Sequence, residues 1–282
     1  MAAPSRRSSR ATPRRNTPPA ERAIGIFDSG IGGLTVVQAL LRLLPSETLI
    51  YLGDTARYPY GTKSADVVRR YSFENTEFLI EKGVKLLVVA CNTSTAVSFE
   101  ALQERYEVPL VGVIAPGAVA AAAATRNGKV GVIATEATIA SGEYTRALRR
   151  ERADLEIYTR PCPLFVPLAE EGWVDNEIAR RTAETYLRSL RRSGIDTLIL
   201  GCTHYPLLEG VIRETIGSGV TIVDSATSTA RAVRDLLRRH RLSHPAGTGA
   251  THFFVTDAPE RFVKVGSRFL GAQVDSAVRI ER

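Results

Sequence analysis

At 282 residues, 44% hydrophobic and 24% charged, the chain is long enough for two α/β cores, and no apolar run approaches the roughly 20 residues that a membrane-spanning helix needs. Its formal net charge is +7, but residues 1–22 hold six arginines against one glutamate; that leaves about +2 for the rest and argues against a nucleic-acid groove in the folded core. The odd, sparse set Cys91, Cys162 and Cys202 does not suggest a disulfide framework and fits a reducing, cytoplasmic setting.

Residues 1–22 are rich in Ser, Pro, Ala and Arg with almost nothing apolar to bury, which predicts a disordered basic tail. The tail lacks the apolar stretch of a secretory signal. The folded part then opens with AIGIFDSGIGGLTVVQALLRLLP, a strand over 24–27, a glycine-rich turn over 28–33 and a helix over 34–44. Thr35 stands where the third glycine of a dinucleotide fingerprint belongs, so the loop reads as a general anion site at a helix start. A second strand, 48–52, leads into GDTARYPYG, a surface loop able to close over a small ligand. A helix over 63–82, a strand over 85–90 ending in Cys91-Asn92-Thr93, a helix over 95–106 and a strand over 109–114 follow.

The plan then repeats. KVGVIAT at 129–135 matches AIGIFDS, a helix is expected over 139–150 and a strand over 155–160, and PCPLFVPLAEEGW reads as a Pro-rich turn leading to Glu170 and Glu171. A basic amphipathic helix over 176–193 precedes the strand 196–201, which runs into Cys202-Thr203-His204. A strand over 220–223, a helix over 227–240, a flexible SHPAGTG segment, a strand over 251–256 and a last helix ending near 270 complete the chain. Phe253, Phe254, Phe262 and Phe269 are expected in the core. Cys202 lies 111 residues after Cys91, and the flanking strands keep nearly that offset. We therefore expect two similar α/β domains with mainly parallel sheets, related by a pseudo-two-fold and enclosing a site in their cleft. The first would comprise 23–110 and 224–282, the second 111–223.

Two thiols at two strand tips admit several chemistries. A disulfide needs Cα atoms within about 7 Å and an oxidising setting. Zinc needs three or four ligands, and Cys91, Cys202 and His204 give three. A single cysteine nucleophile beside His204 would suit acyl transfer and leave the other thiol idle. Proton transfer suits the pair best: removing a proton from one face of a carbon and returning one to the other needs two bases, and a thiol with pKa near 8.5 serves as acid or base. Asp28 and His204 are the candidate helpers. No motif for pyridoxal phosphate or a nicotinamide is present, so no cofactor and no metal is expected.

Taken together, FDSGIGGLTV, GDTARYPYG, ACNTST and GCTHYPLL resemble the glutamate racemase family from about residue 23 to the C-terminus. The resemblance implies cofactor-independent interconversion of L- and D-glutamate, with the D-isomer supplied to peptidoglycan synthesis. It makes Cys91 and Cys202 the acid/base pair, Cys91 acting on the D-enantiomer and Cys202 on the L-enantiomer, with Asp28, His204 and Glu170 assisting. It carries substrate binding onto Asp28, Ser29, Tyr60, Gly61, Asn92, Thr93, Thr203 and His204, and leaves Cys162 structural. His204 and the YPYG loop favour glutamate over aspartate, the substrate of related racemases. The resemblance also implies a homodimer as a possible assembly. A silent amino-acid-binding protein is the reading from another class; two oxidisable thiols kept without use weigh against it.

Overall fold

The computed structural model describes residues 17–281. The first sixteen residues of the basic tail lie outside that range. At its end Pro19–Glu21 make one 3-10 turn. The elements are, in order, β1 (Ile24–Asp28), α1 (Leu34–Leu43), β2 (Leu49–Gly53), α2 (Ala65–Glu81), β3 (Leu86–Val89), α3 (Asn92–Arg105), β4 (Leu110–Gly112), α4 (Ile114–Ala124), β5 (Lys129–Ala134), α5 (Glu136–Ser141), α6 (Glu143–Glu151), β6 (Glu156–Pro161), α7 (Phe165–Glu171), α8 (Glu177–Arg192), β7 (Thr197–Gly201), α9 (Glu209–Ile216), β8 (Thr221–Asp224), α10 (Ser225–Arg239), β9 (Thr251–Val255), α11 (Pro259–Leu270) and β10 (Val278–Arg279).

Two sheets result, one of order β10-β9-β2-β1-β3-β4 and one of order β6-β5-β7-β8, with every strand pair parallel. Within the first, β2-β1-β3-β4 repeats the order of the second, so β3 and β7, the strands that lead into the two thiols, occupy equivalent central places. Parallel strands buried on both faces require near-continuous apolar runs, and β1, β3 and β7 are buried along their whole length. One face of the first sheet, carrying Phe27, Leu87 and Val89, packs against α2 and α3 through Phe78, Leu79 and Leu102. The other face joins α1, α10 and α11 into a core that continues into α7, α8 and α9 of the second half.

Helix starts follow from side-chain caps. Asn176 Oδ1 accepts from Ala179 N at 2.9 Å before α8, and Asp224 Oδ1 accepts from Thr227 N at 2.7 Å before α10. The structure departs from the sequence reading in several places. The helix expected over 139–150 is two, α5 and α6, because Gly142 turns left-handed (φ 71°) between them. The helix after Cys91 begins at once, at Asn92, because Cys91 itself caps it. The short α7, expected as a Pro-rich turn, is helical, and the alanine-rich segment 114–124, for which no element was expected, forms α4. The SHPAGTG segment has no regular structure but is pinned, with Gly249 N donating to Pro45 O at 3.0 Å and His244 N to Glu47 Oε1 at 2.8 Å. Phe262 and Phe269 are buried, whereas Phe253 and Phe254 are partly covered.

Glu47 joins that segment to the start of β3. Lys85 Nζ lies 2.5 Å from Glu47 Oε2, both side chains almost fully buried, and donates its hydrogen bond to Ala20 O, also at 2.5 Å. Removing one partner of a buried pair leaves the other charge uncompensated, at a cost of about 3–5 kcal/mol. Lys85→Met is therefore expected to lower the urea midpoint strongly. Adding Glu47→Gln, which keeps an acceptor for His244, should recover much of the loss; a double variant no more stable than Lys85→Met would refute the charge-burial account.

Candidate active site

Each thiol sits one or two residues beyond a central strand. β3 leads through Ala90 to Cys91, whose Sγ accepts from Ser94 N at 3.5 Å and caps α3. β7 ends at Gly201, and Cys202 follows. The two cysteines are 5% and 6% exposed, and all three cysteines of the chain are free. Both border one cavity of about 310 Å³ between the sheets' carboxyl ends, where open α/β sheets bind ligands. Every site residue expected from the sequence borders it except Asp28 and Glu170, which stand behind its wall. Two larger cavities, of about 730 and 530 Å³, lie elsewhere and hold neither thiol.

The two thiols have opposite electrostatic surroundings. Cys202 Sγ lies 3.8 Å from His204 Nδ1, and His204 Nε2 lies 3.2 Å from Glu170 Oε1. Arg261 donates to Glu170 Oε2 at 3.2 Å, and Arg268 donates to the Glu170 carbonyl at 3.2 Å. Burial alone would lower the His204 pKa, but its hydrogen bonds with Cys202 and Glu170 outweigh burial and push it up to about 10. Burial pulls Glu170 upward and is overcome by the His204 and Arg261 partners, which hold it below the ordinary carboxylate value. On the other side, burial and then the Asp28 carboxylate push the Cys91 thiol up to about 11. Asp28 is fully buried; its Oδ2 accepts from Gly30 N at 3.0 Å and its Oδ1 has no partner among the described residues. Burial raises its pKa despite the counteracting charge of His204. At neutral pH the arrangement keeps Cys91 protonated and places an imidazolium against Cys202. Among the described residues no group of three or more His, Cys, Asp and Glu is arranged to hold a metal.

Pro59, Pro163, Val166 and Pro167 make part of the wall apolar, and its polar members are held by hydrogen bonds. Thr93 Oγ1 lies 3.0 Å from Thr135 Oγ1 and 3.1 Å from Thr138 Oγ1, joining the two halves through hydroxyls. Tyr60 borders the cavity with its ring, because its hydroxyl donates to Asp54 Oδ2 and accepts from Asn75 Nδ2. Cys162 is fully buried, lies outside the cavity and contacts Arg160 O.

Several residues in or behind the wall were missed from the sequence. Thr135 is the counterpart of Ser29 when Gly131 is set on Gly25, so the internal repeat carried a signal for it. Tyr58 stacks on the His204 ring, centroids 6.1 Å apart, and belongs to the YPYG loop already singled out. Phe269, expected only as core, also meets His204 edge-on at 5.2 Å. Arg261 and Tyr144 sit in helices with no local motif to mark them.

A model of the Asp/Glu/Hydantoin racemase family matches residues 24–233. The chain is 56% identical over 260 residues, 92% of its length and 96% of the relative's, to a glutamate racemase of Geobacter metallireducens. Among solved structures it is similar to a glutamate racemase isoform of Bacillus anthracis, with a TM-score of 0.90 and 40% identity over 93% of this chain and 98% of that one. It is also similar to the glutamate racemase of Francisella tularensis in complex with D-glutamate, with a TM-score of 0.88 and 37% identity over the same shares. With a family match across most of its length and relatives this close over nearly all of it, the chain belongs to the Asp/Glu/Hydantoin racemase family.

Proposed function

We propose that the chain is a glutamate racemase that moves the α-proton between two thiols without a cofactor. The observation that carries this reading is the pair of buried thiols at equivalent strand tips, bordering one cavity under opposite electrostatic fields. The closeness to relatives named glutamate racemase supports glutamate as substrate. From L-glutamate, Cys202 as thiolate takes the α-proton, its negative charge held against the His204 imidazolium, which Glu170 orients. The Cys91 thiol delivers its own proton to the opposite face of the carbanion, giving D-glutamate and a Cys91 thiolate. The reverse reaction starts from the opposite protonation state. Hydroxyl and amide groups of Ser29, Asn92, Thr93 and Thr203 hold the carboxylates and the ammonium while Cα inverts. The Tyr60-Gly61 turn closes the site over them, and Asp28, buried behind Cys91, holds that thiol protonated between turnovers. D-glutamate made this way serves peptidoglycan synthesis.

The reading includes a division of the chain into a first domain of 23–110 with 224–282 and a second of 111–223; the return of β9 and β10 to the first sheet supports the split, while β4 carries the first sheet on to Gly112. It also includes a homodimer, supported by the half-exposed Leu164, Trp173 and Ile178 on and beside α7 and α8. No helix among the described residues is long and apolar enough to cross a membrane.

The direct test incubates the purified protein with L-glutamate in D₂O. Inversion with deuterium at Cα of the D-product is expected, and both inversion and net turnover should vanish in Cys91→Ala and Cys202→Ala. Near-normal turnover in either variant would sink the two-thiol mechanism. His204→Asn tests the asymmetry. Because the two enantiomers are equally stable, kcat/KM must fall equally in both directions. The primary isotope effect should therefore grow more for L-[2-²H]glutamate than for the D-isomer, as Cys202 becomes the poorer base. An equal change in both would make His204 a binding group only.

Stability reports the same field. A folded-state pKa of about 10 for His204, against an ordinary 6.5, gives stability that is fully present below the unfolded value and is lost as pH rises through about 10. Cys91, raised from 9.0 to about 11, acts in the same direction in a higher window. The thermal midpoint should fall from pH 6.5 to 10 and fall less in His204→Asn; an unchanged slope in that variant would remove His204 as the titrating group.

A further inference from the structure

Tyr144, on α6 of the second half, reaches into the first half and touches the neighbourhood of both thiols. Its hydroxyl lies 2.7 Å from Oδ1 of Asn92, the residue after Cys91. Its ring lies against Gly201, the residue before Cys202: a Cβ on Gly201 would fall 2.8 Å from Tyr144 Cε2. Both partners are buried, Tyr144 at 2% exposure and Asn92 at 3%.

This geometry fixes which end of the Asn92 amide accepts. A buried phenol must place its one hydrogen, and the only acceptor recorded for it among the described residues is Asn92 Oδ1. The phenol stays neutral, because burial and then the charge of Cys202 raise its pKa, so it donates under every working condition. Asn92 Oδ1 is thereby occupied. Asn92 Nδ2 is left as a buried donor without a partner, on a residue that borders the cavity. A buried N–H₂ without an acceptor is costly, and the substrate of the proposed reaction brings two carboxylates.

We propose that Tyr144 is a positioning residue that locks the Asn92 amide with its oxygen turned to the phenol and its nitrogen reserved for a carboxylate of the bound amino acid. The assignment rests on the racemase reading above. The ring cannot turn aside, because Gly201 and the residues of the second core hold it: Tyr144 packs with Ala118, Ala147, Leu148 and Ile199. Without the hydroxyl, the amide loses the partner that sets its polarity and can offer oxygen to the substrate as readily as nitrogen, which repels a carboxylate.

The test measures wild type, Tyr144→Phe, Asn92→Ala and the double variant in both directions. Tyr144→Phe keeps the ring and removes only the donor. It is expected to raise KM for both enantiomers about tenfold, the scale of one hydrogen bond to a charged group, with kcat changed less than about twofold, as for binding shared by ground and transition states. In the Asn92→Ala background the same change should have almost no further effect on KM, since a residue acting through Asn92 has nothing left to position. A purely structural role would lower the thermal midpoint of Tyr144→Phe and leave KM alone. A wild-type KM in Tyr144→Phe, or multiplicative effects in the double variant, would overturn the proposal. So would an unchanged KM in Asn92→Ala, which decides the matter even if Tyr144→Phe folds poorly. An inert wild type would instead sink the racemase reading itself.

Discussion

At Gly32 there is no room for a side chain. A Cβ there would fall 2.3 Å from Thr203 Oγ1 and 2.4 Å from His204 Nδ1. The glycine-rich loop of the first half thus lies directly on the residues that follow the second thiol. Thr35 fastens the contact by donating to Thr203 O at 3.2 Å. A second close approach lies across the cavity, where a Cβ on Gly61 would fall 2.7 Å from Thr135 Cβ. These two contacts set the distance between the sheets' carboxyl ends, and with it the width of the space into which both thiols face. The rest of the architecture keeps the contacts in register.

Bringing the ends together buries ionisable groups: His204 and Glu170 are paired, whereas Asp28 is held by a backbone N–H and burial raises its pKa. Asp28, Glu170 and His204 are all less than a tenth exposed, where an isolated ion would be severely penalised. Glu170 is neutralised from two sides, by His204 and by Arg261 of α11. The loop that carries Tyr58 and Tyr60 is held by a second buried set: Asp54 accepts from Arg57 Nε at 2.7 Å, from Tyr60, and from Thr256 Oγ1 at 3.0 Å. Asp54 contributes nothing to the cavity surface. Its value lies in fixing a loop rich in turn residues, which would otherwise wander, against the rigid end of β2. Catalytic geometry needs tolerances of a fraction of an ångström, and a loop reaches them only when such a network over-determines it.

Much of this was legible in the sequence because the informative features are local. A strand that ends in a reactive side chain shows itself as an apolar run meeting Cys91 or Cys202, and the repeat of that pattern announces two halves. The wall residues came from the same few motifs. What stayed hidden is long-range. Glu170 could be placed beside Glu171 by pattern, but the arginine that holds it comes from 91 residues further on. Tyr144 reads as an ordinary buried position of a helix until Gly201 and Asn92 are seen around it. Helix α4 escaped notice because its alanine run has no polar stripe to give a period, and α5 and α6 merged because one left-handed glycine breaks a pattern that is otherwise continuous. Asp28 shows the converse limit: its motif marks it, but only the packing shows that it stands behind the wall.

The duplicated strand order bears on why the site is nearly symmetric and not fully so. A racemase must treat two mirror-image substrates with one cavity, and a repeated β-strand order supplies two equivalent positions on opposite sides of the reacting carbon. A strictly symmetric site, however, would leave no preference for which thiol carries the proton in the singly protonated pair. The side chains break the symmetry that the backbone provides. A buried carboxylate raises Cys91, while an imidazole raised by its own carboxylate stands by Cys202. On the proposed mechanism the raised Cys91 thiol is the proton donor of the L-to-D direction, and the imidazolium beside Cys202 favours negative charge there. After an L-to-D turnover on that mechanism the proton sits on Cys202, and the raised pKa of Cys91 favours its return there. On that mechanism the asymmetry favours the protonation state that meets the L-enantiomer.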